Sequence, residues 1–311
     1  MSVTNVLPDK KTFELVARQL GISEAFVEKD WHVTQAIRAI ANITLPGFNL
    51  VFSGGTALSK AHRLIQRFSE DIDFIIFAPE KTQSRKSRSD LKHAVLKSLR
   101  DAGFRIEDNQ VKARNENRFF VIEMDYETSF SRPNSLRPHI QIELIVKTTQ
   151  LPAVALPVSS FVTELTNQPP EVESIGCINV VENAADKLSA LAWRIPDRVR
   201  GDPDDDPAIV RHIHDLAMLK DIALAHEKFP SLVNFCMRQD DNRAKNNRLS
   251  VGLSMHEKFE NMLSIFDTDS KYPREYDQFV KGVSYSAEDA TPDFRTAVAA
   301  IKVLIEIVGK S

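Results

Sequence analysis

Phe52-Ser53-Gly54-Gly55-Thr56-Ala57-Leu58-Ser59-Lys60, followed by Arg67-Phe68-Ser69-Glu70-Asp71-Ile72-Asp73-Phe74, is the most informative part of the chain. The first stretch continues the apolar run Leu50-Val51-Phe52, which reads as a buried strand meeting a turn at Gly54-Gly55. Two glycines at a strand-to-helix junction let backbone N–H groups approach an anion with no Cβ in the way. The helix expected over 56–66 adds the positive end of its dipole. Gly54, Gly55 and Thr56 therefore form a candidate phosphate cradle, with Lys60 one turn further on and Arg67 just beyond the helix. No Gly-Lys-Ser/Thr closes it, so it is not a Walker A loop. In the second stretch, Asp71 and Asp73 stand two apart on an expected strand and share one face. Hard oxygen donors at that spacing suit Mg²⁺ or Mn²⁺, held together with substrate phosphates. Phosphoryl and nucleotidyl transfer need that arrangement.

Working outward, a third carboxylate is expected on a neighbouring strand. His139-Ile140-Gln141-Ile142-Glu143-Leu144 alternates cleanly, and Glu143 on that largely apolar strand is costly to bury unpaired. Glu143 is the choice for a third metal ligand, with Glu123 and Asp125 as rivals that serve equally well on geometry alone. The remaining pattern is α/β and then α. Residues 8–42 read as helices broken at Gly21, 81–92 as a polar basic link, 91–102 as a helix, and 119–126 and 140–146 as strands. Pro152, Pro157, Pro169 and Pro170 punctuate a loop-rich stretch. Helices are expected over 184–194, 209–225, 228–238, 251–266, 273–282 and 292–308. This divides the chain into N-terminal helices (1–44), an α/β domain (45–150) and a mainly helical region (151–311).

Composition sets outer limits. The net charge of -3 gives no basic excess, so any nucleic-acid surface has to be local. Candidate basic positions are Lys81, Arg85, Lys86, Arg88 and Lys92, then Arg194, Arg198 and Arg200, and the run from Arg243 to Arg248. Cys177 and Cys236 form no CxxC pair. His212 and His214 are two apart on an expected helix and point to different faces, which argues against zinc. The acidic run Asp202 to Asp206 reads as a solvated loop. The N-terminus carries no signal-peptide pattern and no apolar run spans a bilayer, so the expected location is cytoplasmic, with no membrane partner.

Gly-Gly, a helix, then Asp-x-Asp on a strand is the motif of DNA polymerase beta-like nucleotidyltransferases, although the fifteen residues between Gly55 and Asp71 exceed the spacing in many of them. The longer strings Gly-Gly-Thr-Ala-Leu-Ser-Lys and Arg-Phe-Ser-Glu-Asp-Ile-Asp-Phe are more specific. Together with Glu28-Lys29-Asp30-Trp31, Ala185-Asp186-Lys187-Leu188-Ser189-Ala190-Leu191 and Arg211-His212-Ile213-His214-Asp215-Leu216, the chain resembles the AbiEii/AbiGii nucleotidyltransferase toxins, to which the MenT toxins are related. The resemblance implies that Gly54, Gly55 and Thr56 meet the triphosphate and that Asp71 and Asp73 hold the metals. It also implies that Lys187 lies near the nucleotide phosphates and that Asp215 serves the cleft. It further implies a bacterial toxin with a cognate antitoxin, in some members linked to phage defence by abortive infection, and transfer of NMP from an NTP to RNA, at the 3′ end of tRNA in MenT-like members. From the residues alone, Lys187 reads as a solvated helix charge, and only the resemblance reverses that, while Asp215 reads equally as a site residue and as the i,i+4 partner of Arg211. Arg67 reads as a phosphate ligand or as a partner of Glu70 or Asp71. The competing functions are NMP transfer to a protein hydroxyl and a non-catalytic nucleotide-binding module.

Overall fold

The computed structural model describes residues 6–78, 84–133, 136–203, 205–244, 249–285 and 291–310. Two compact units emerge. The first comprises 1–63, 68–149 and 153–178; the second comprises 64–67, 150–152 and 179–311.

The first unit begins with α1 (Lys10–Leu20) and α2 (Glu24–Ala41). Asp9 caps α1 by accepting from the Thr12 backbone at 2.8 Å, and Gly21, at φ 69°, closes it in the left-handed conformation that favours glycine. A seven-stranded sheet follows, built from β1 (Asn49–Ser53), β2 (Asp71–Phe77), β3 (Val111–Arg114), β4 (Phe119–Met124), β5 (Ile140–Val146), β6 (Val154–Val158) and β7 (Val172–Cys177) in the order β3-β4-β5-β2-β1-β7-β6. β2 runs parallel to β5 and antiparallel to β1. Between them lie the one-turn helix α3 (Gly54–Thr56), α4 (Arg85–Asp101) and α5 (Phe161–Leu165).

Alternation along β2 sorts its side chains. Ile72, Phe74 and Ile76 join Ile142 and Leu144 of β5 in a buried core with Val33, Ile37 and Ile40 of α2 and Leu91, Val95 and Leu99 of α4. Asp71, Asp73 and Ile75 face the other way, where Ile75 packs with Val51 and Ile178. Burying large aliphatic side chains contributes roughly 1.5–3 kcal/mol each, so a one-residue slip of β2 would place its carboxylates in the core and is strongly disfavoured.

The second unit contains α6 (Val180–Asp197), α7 (Arg211–Leu224), α8 (Phe229–Ala244), α9 (Met255–Thr268), α10 (Lys271–Val283) and α11 (Phe294–Gly309). α6, capped by Asn179, packs against α7, α8 and α9, and α11 packs on α7. Among the described residues no helix is long and apolar enough to cross a membrane.

Several expectations change. The helix expected over 56–66 shrinks to α3 and a wide turn over Ala57–Ala61, because Arg63 at φ 56° takes the chain out of helical geometry. α4 starts at Arg85, inside the expected polar link, because Ser84 caps it by accepting from the Ser87 backbone at 3.0 Å. Strand content does not end near residue 150, since β6 and β7 extend the sheet. β6 is an edge strand holding Pro157, which an edge tolerates because one side of its ladder is open. Lys81, Asp204 and the segment 245–248 lie outside the described residues.

Candidate active site

The carboxylate cluster is a consequence of register. In the parallel β2–β5 ladder Asp73 stands opposite Glu143 and Asp71 opposite Gln141. Partners in register lie about 4.8 Å apart and share a face, so Asp71, Asp73 and Glu143 form one acidic patch on the face away from α2 and α4. The rivals fall aside. Glu123 is one strand further out, opposite Gln141, and accepts from Lys112 at 2.8 Å; Asp125 lies past the end of β4 and accepts from Gln110 at 3.1 Å.

Gly54 closes the patch from the β1 side. Its φ is +74°, and a Cβ built there would lie 1.8 Å from Asp73 Oδ2. No other residue type fits without displacing that carboxylate. Thr56 is fully buried and its hydroxyl donates to the Asp71 carbonyl, with the Ser69 hydroxyl 3.0 Å away. The Thr56 side chain thus fixes the start of β2, and what α3 can offer an anion is backbone N–H.

Two side chains hold the carboxylates in position. Arg137 Nη1 donates to Asp71 Oδ1 and to Gln141 Oε1 at 2.9 Å, and Gln141 in turn donates to Glu143 Oε1. Glu70 accepts from the Arg137 backbone at 3.1 Å and from the fully buried Lys29, which also donates to the Arg137 carbonyl at 2.8 Å. Burial pulls the Lys29 ammonium down from its ordinary range, and Glu70 opposes that. Sequence reasoning missed Arg137 altogether. The one available signal was Glu28-Lys29-Asp30, three consecutive charges inside an otherwise apolar helical stretch.

That signal explains Lys60. Its ammonium lies 2.6 Å from Asp30 and 2.9 Å from the Ser159 carbonyl, buried over the Phe161 ring. The expectation that it faces phosphate is corrected: it neutralises a buried aspartate whose carboxyl burial pushes up. Glu28, equally buried, accepts from the Thr128 hydroxyl and the Ser129 backbone.

In the second unit Arg67 makes a two-pronged contact with Asp215, both bonds at 2.7 Å, and Lys187 reaches the same carboxylate at 2.9 Å. All three are buried. Burial alone would push the Asp215 carboxyl up; the Arg67 and Lys187 charges more than reverse this and hold it well below the usual carboxylate range. Of the partners expected for Arg67, phosphate, Glu70 or Asp71, the contact found is a different one, the buried two-pronged pair with Asp215. Arg211, one turn before Asp215, reaches Asp206 at 3.6 Å. Of the basic positions considered for nucleic acid, Arg88 is buried against Glu116, and Arg194, Arg198 and Arg200 are paired with Asp206, Asp205, Glu275 and Asp269. These pairs engage Asp205 and Asp206 of the acidic loop. Arg85 and Lys86 stay exposed on α4.

Among the described residues no three His, Cys, Asp or Glu side chains converge as a ready-made metal cage. Mg²⁺ does not require one, because it takes one or two carboxylates and completes its shell with water and substrate phosphates. The all-oxygen patch of Asp71, Asp73 and Glu143, beside a glycine whose missing Cβ leaves room for Asp73, fits such an ion.

No curated protein matches the chain. Among solved structures it is similar to MenT4, a nucleotidyltransferase toxin from Mycobacterium tuberculosis H37Rv, with 17% identity and a TM-score of 0.48, over 94% of this chain and 98% of that one. The family described as nucleotidyl transferase AbiEii toxin, type IV toxin–antitoxin system, matches residues 43–300, a span that includes the glycine pair, the three carboxylates and the Arg67–Asp215–Lys187 cluster. The chain belongs to the AbiEii family of nucleotidyltransferase toxins.

Proposed function

We propose that this toxin transfers a nucleoside monophosphate from an NTP to the terminal hydroxyl of an RNA, at the 3′ end of tRNA in its narrowest form. The register that sets Asp73 beside Glu143, two residues from Asp71 and against Gly54, carries the transfer chemistry. The acceptor hydroxyl gives up its proton to solvent as its oxygen attacks the α-phosphorus, the bond from that phosphorus to the bridging oxygen breaks, and pyrophosphate leaves with the negative charge. Asp71, Asp73 and Glu143 would hold Mg²⁺ or Mn²⁺, which neutralises phosphate charge and lowers the pKa of the attacking hydroxyl. Backbone N–H groups at Gly54 and Gly55 receive phosphate oxygens. Arg137 and Gln141 hold Asp71 and Glu143 in orientation. Asp215, ionised by its two cations, positions Lys187 and Arg67. The RNA acceptor rests on the resemblance of the chain's motifs to MenT-like toxins, and a cognate antitoxin follows from the family's type IV systems.

The test is incubation of the purified chain with total bacterial RNA, Mg²⁺ and each α-labelled NTP in turn, with Asp71→Asn as control. Label in tRNA-sized bands that disappears in the variant supports the proposal and names the base. Normal incorporation by the Asp71→Asn chain overturns the site, and label in protein in place of RNA overturns the acceptor.

A further inference from the structure

On the α2 side of the sheet, a pocket of about 460 Å³ opens between α2, the loop after α4 and the segment after β4. That volume lies within the range of small-ligand sites. Nothing in the transfer chemistry uses it. Two of its lining groups are unexplained. His32 and Gln35 are 8% and 3% exposed, and His32 Nε2 and Gln35 Oε1 have no hydrogen-bond partner; both atoms are closed to solvent in this conformation, so a ligand in the pocket meets them after a side-chain rotation. Natural structures rarely leave buried polar atoms unpaired, since each costs about 1–3 kcal/mol. The two residues are three apart on one helix and so share a face. Both orphaned atoms are acceptors: the His32 ring uses its other nitrogen on the Glu127 backbone, and burial pushes the ring's pKa down to about 4, so Nε2 carries a lone pair at neutral pH.

The surroundings narrow the ligand. Trp31, Phe104 and Tyr126 supply aromatic walls. Glu107, Asp125 and Glu127 line it with one cation, Arg105, and the Lys29 ammonium lies over the Tyr126 ring, 5.6 Å from its centre. Two buried acceptors, aromatic faces and an acidic excess select a flat, donor-only cation and repel phosphate. Among side chains and common metabolites the guanidinium group answers all three demands: it is planar, offers five N–H donors with no acceptor, and stacks on aromatic rings. We infer that this pocket binds a guanidinium group, supplied by an arginine of a partner polypeptide or by a free guanidinium metabolite, through His32 Nε2 and Gln35 Oε1 with Trp31 as the stacking face.

Trp31 is a built-in reporter, because Trp193→Phe leaves it the only tryptophan. The Trp193→Phe chain would be titrated, with fluorescence detection, with an end-blocked Gly-Arg-Gly peptide, its Gly-Lys-Gly counterpart and agmatine. Saturable quenching by the arginine peptide, at least fivefold weaker for the lysine peptide, is expected. Gln35→Leu and His32→Phe should each weaken it about tenfold with an unchanged circular dichroism spectrum, whereas Gln35→Glu should tighten it several-fold. Agmatine binding as tightly as the peptide identifies a free metabolite; a peptide preference identifies a polypeptide. Equal affinity for the two peptides, or no loss in Gln35→Leu, overturns the assignment. If Gln35→Leu fails to fold, tightening by Gln35→Glu decides the question alone, and its absence overturns the proposal.

Discussion

At Gly54 two independent demands coincide. The left-handed φ of +74° costs an alanine roughly 1–2 kcal/mol. The added Cβ would also collide with Asp73 Oδ2, which has to move by more than an ångström to reach ordinary contact distance. Displacements of that size at a reacting centre cost on the order of 10²-fold in rate. Gly54→Ala is therefore expected to lower nucleotide transfer by about 100-fold while lowering stability by only ~1–3 kcal/mol. Gly103→Ala is the matched control, because Gly103 has φ +96° and open space around its would-be Cβ. It should lose similar stability and retain activity. Equal activity in the two alanine chains would show that Asp73 does not need its present position. The same scale shows what a linear reading can see. The shared face of Asp71 and Asp73 is legible because side chains alternate along one strand with period two, whereas the register that sets Glu143 of β5 beside Asp73 is not. Nor are the partners of Arg67 and Lys60, because Asp215 lies 148 residues from Arg67 and Asp30 thirty residues before Lys60, and no local periodicity encodes such pairings.

Among the elements, α2 does the most varied work. Val33, Ile37 and Ile40 pack against the sheet, while Glu28, Lys29 and Asp30, at consecutive positions, point to three different segments: the 128–129 turn, Glu70 before β2, and Lys60 after α3. Three adjacent helical residues span most of a turn, so one short string can tie α2 to three parts of its unit. Breaking a buried pair on one side costs about 3–5 kcal/mol, because the remaining charge is left desolvated. Lys60→Met is expected to destabilise the chain by about that much in urea titrations, and Asp30→Asn by a similar amount. The double variant should recover a large part of the loss, since neither charge is then stranded. Additive losses would mean that Asp30 and Lys60 stabilise the chain independently of each other. Resemblance marked the Glu28-Lys29-Asp30 string as characteristic without giving it a role; the pairing supplies one. Short elements were the least readable. β3 is four residues of mixed polarity at a sheet edge, and β6 carries a proline, so neither shows the alternation that revealed β5.

For the whole molecule, the distribution of buried titratable groups makes folding dependent on pH. His32 titrates at about 4 in the folded chain, against about 6.5 when unfolded, because burial disfavours the imidazolium. Between those values the unfolded chain binds a proton that the folded chain refuses, so stability is complete above about 6.5 and declines as pH falls towards 4. For His32 alone the difference amounts to about 3 kcal/mol. His62, His139 and His212 are displaced in the same direction, each chiefly by burial, and His212 also by the Lys187 charge. Asp215 adds a loss at lower pH. Its folded carboxyl is held well below the ordinary range, so its contribution is present above the unfolded value and disappears as pH falls through the folded one. Asp30 and Glu164, pushed up by burial, act in the opposite sense. A difference measurement separates His32 from this background. Urea midpoints of the natural chain and of His32→Phe, taken at half-unit steps from pH 7.5 to 4, should diverge as pH falls, with the variant losing stability less steeply by up to about 3 kcal/mol at the acid end. Parallel curves would mean that His32 already ionises freely in the folded chain, which would also remove the buried acceptor on which guanidinium recognition depends.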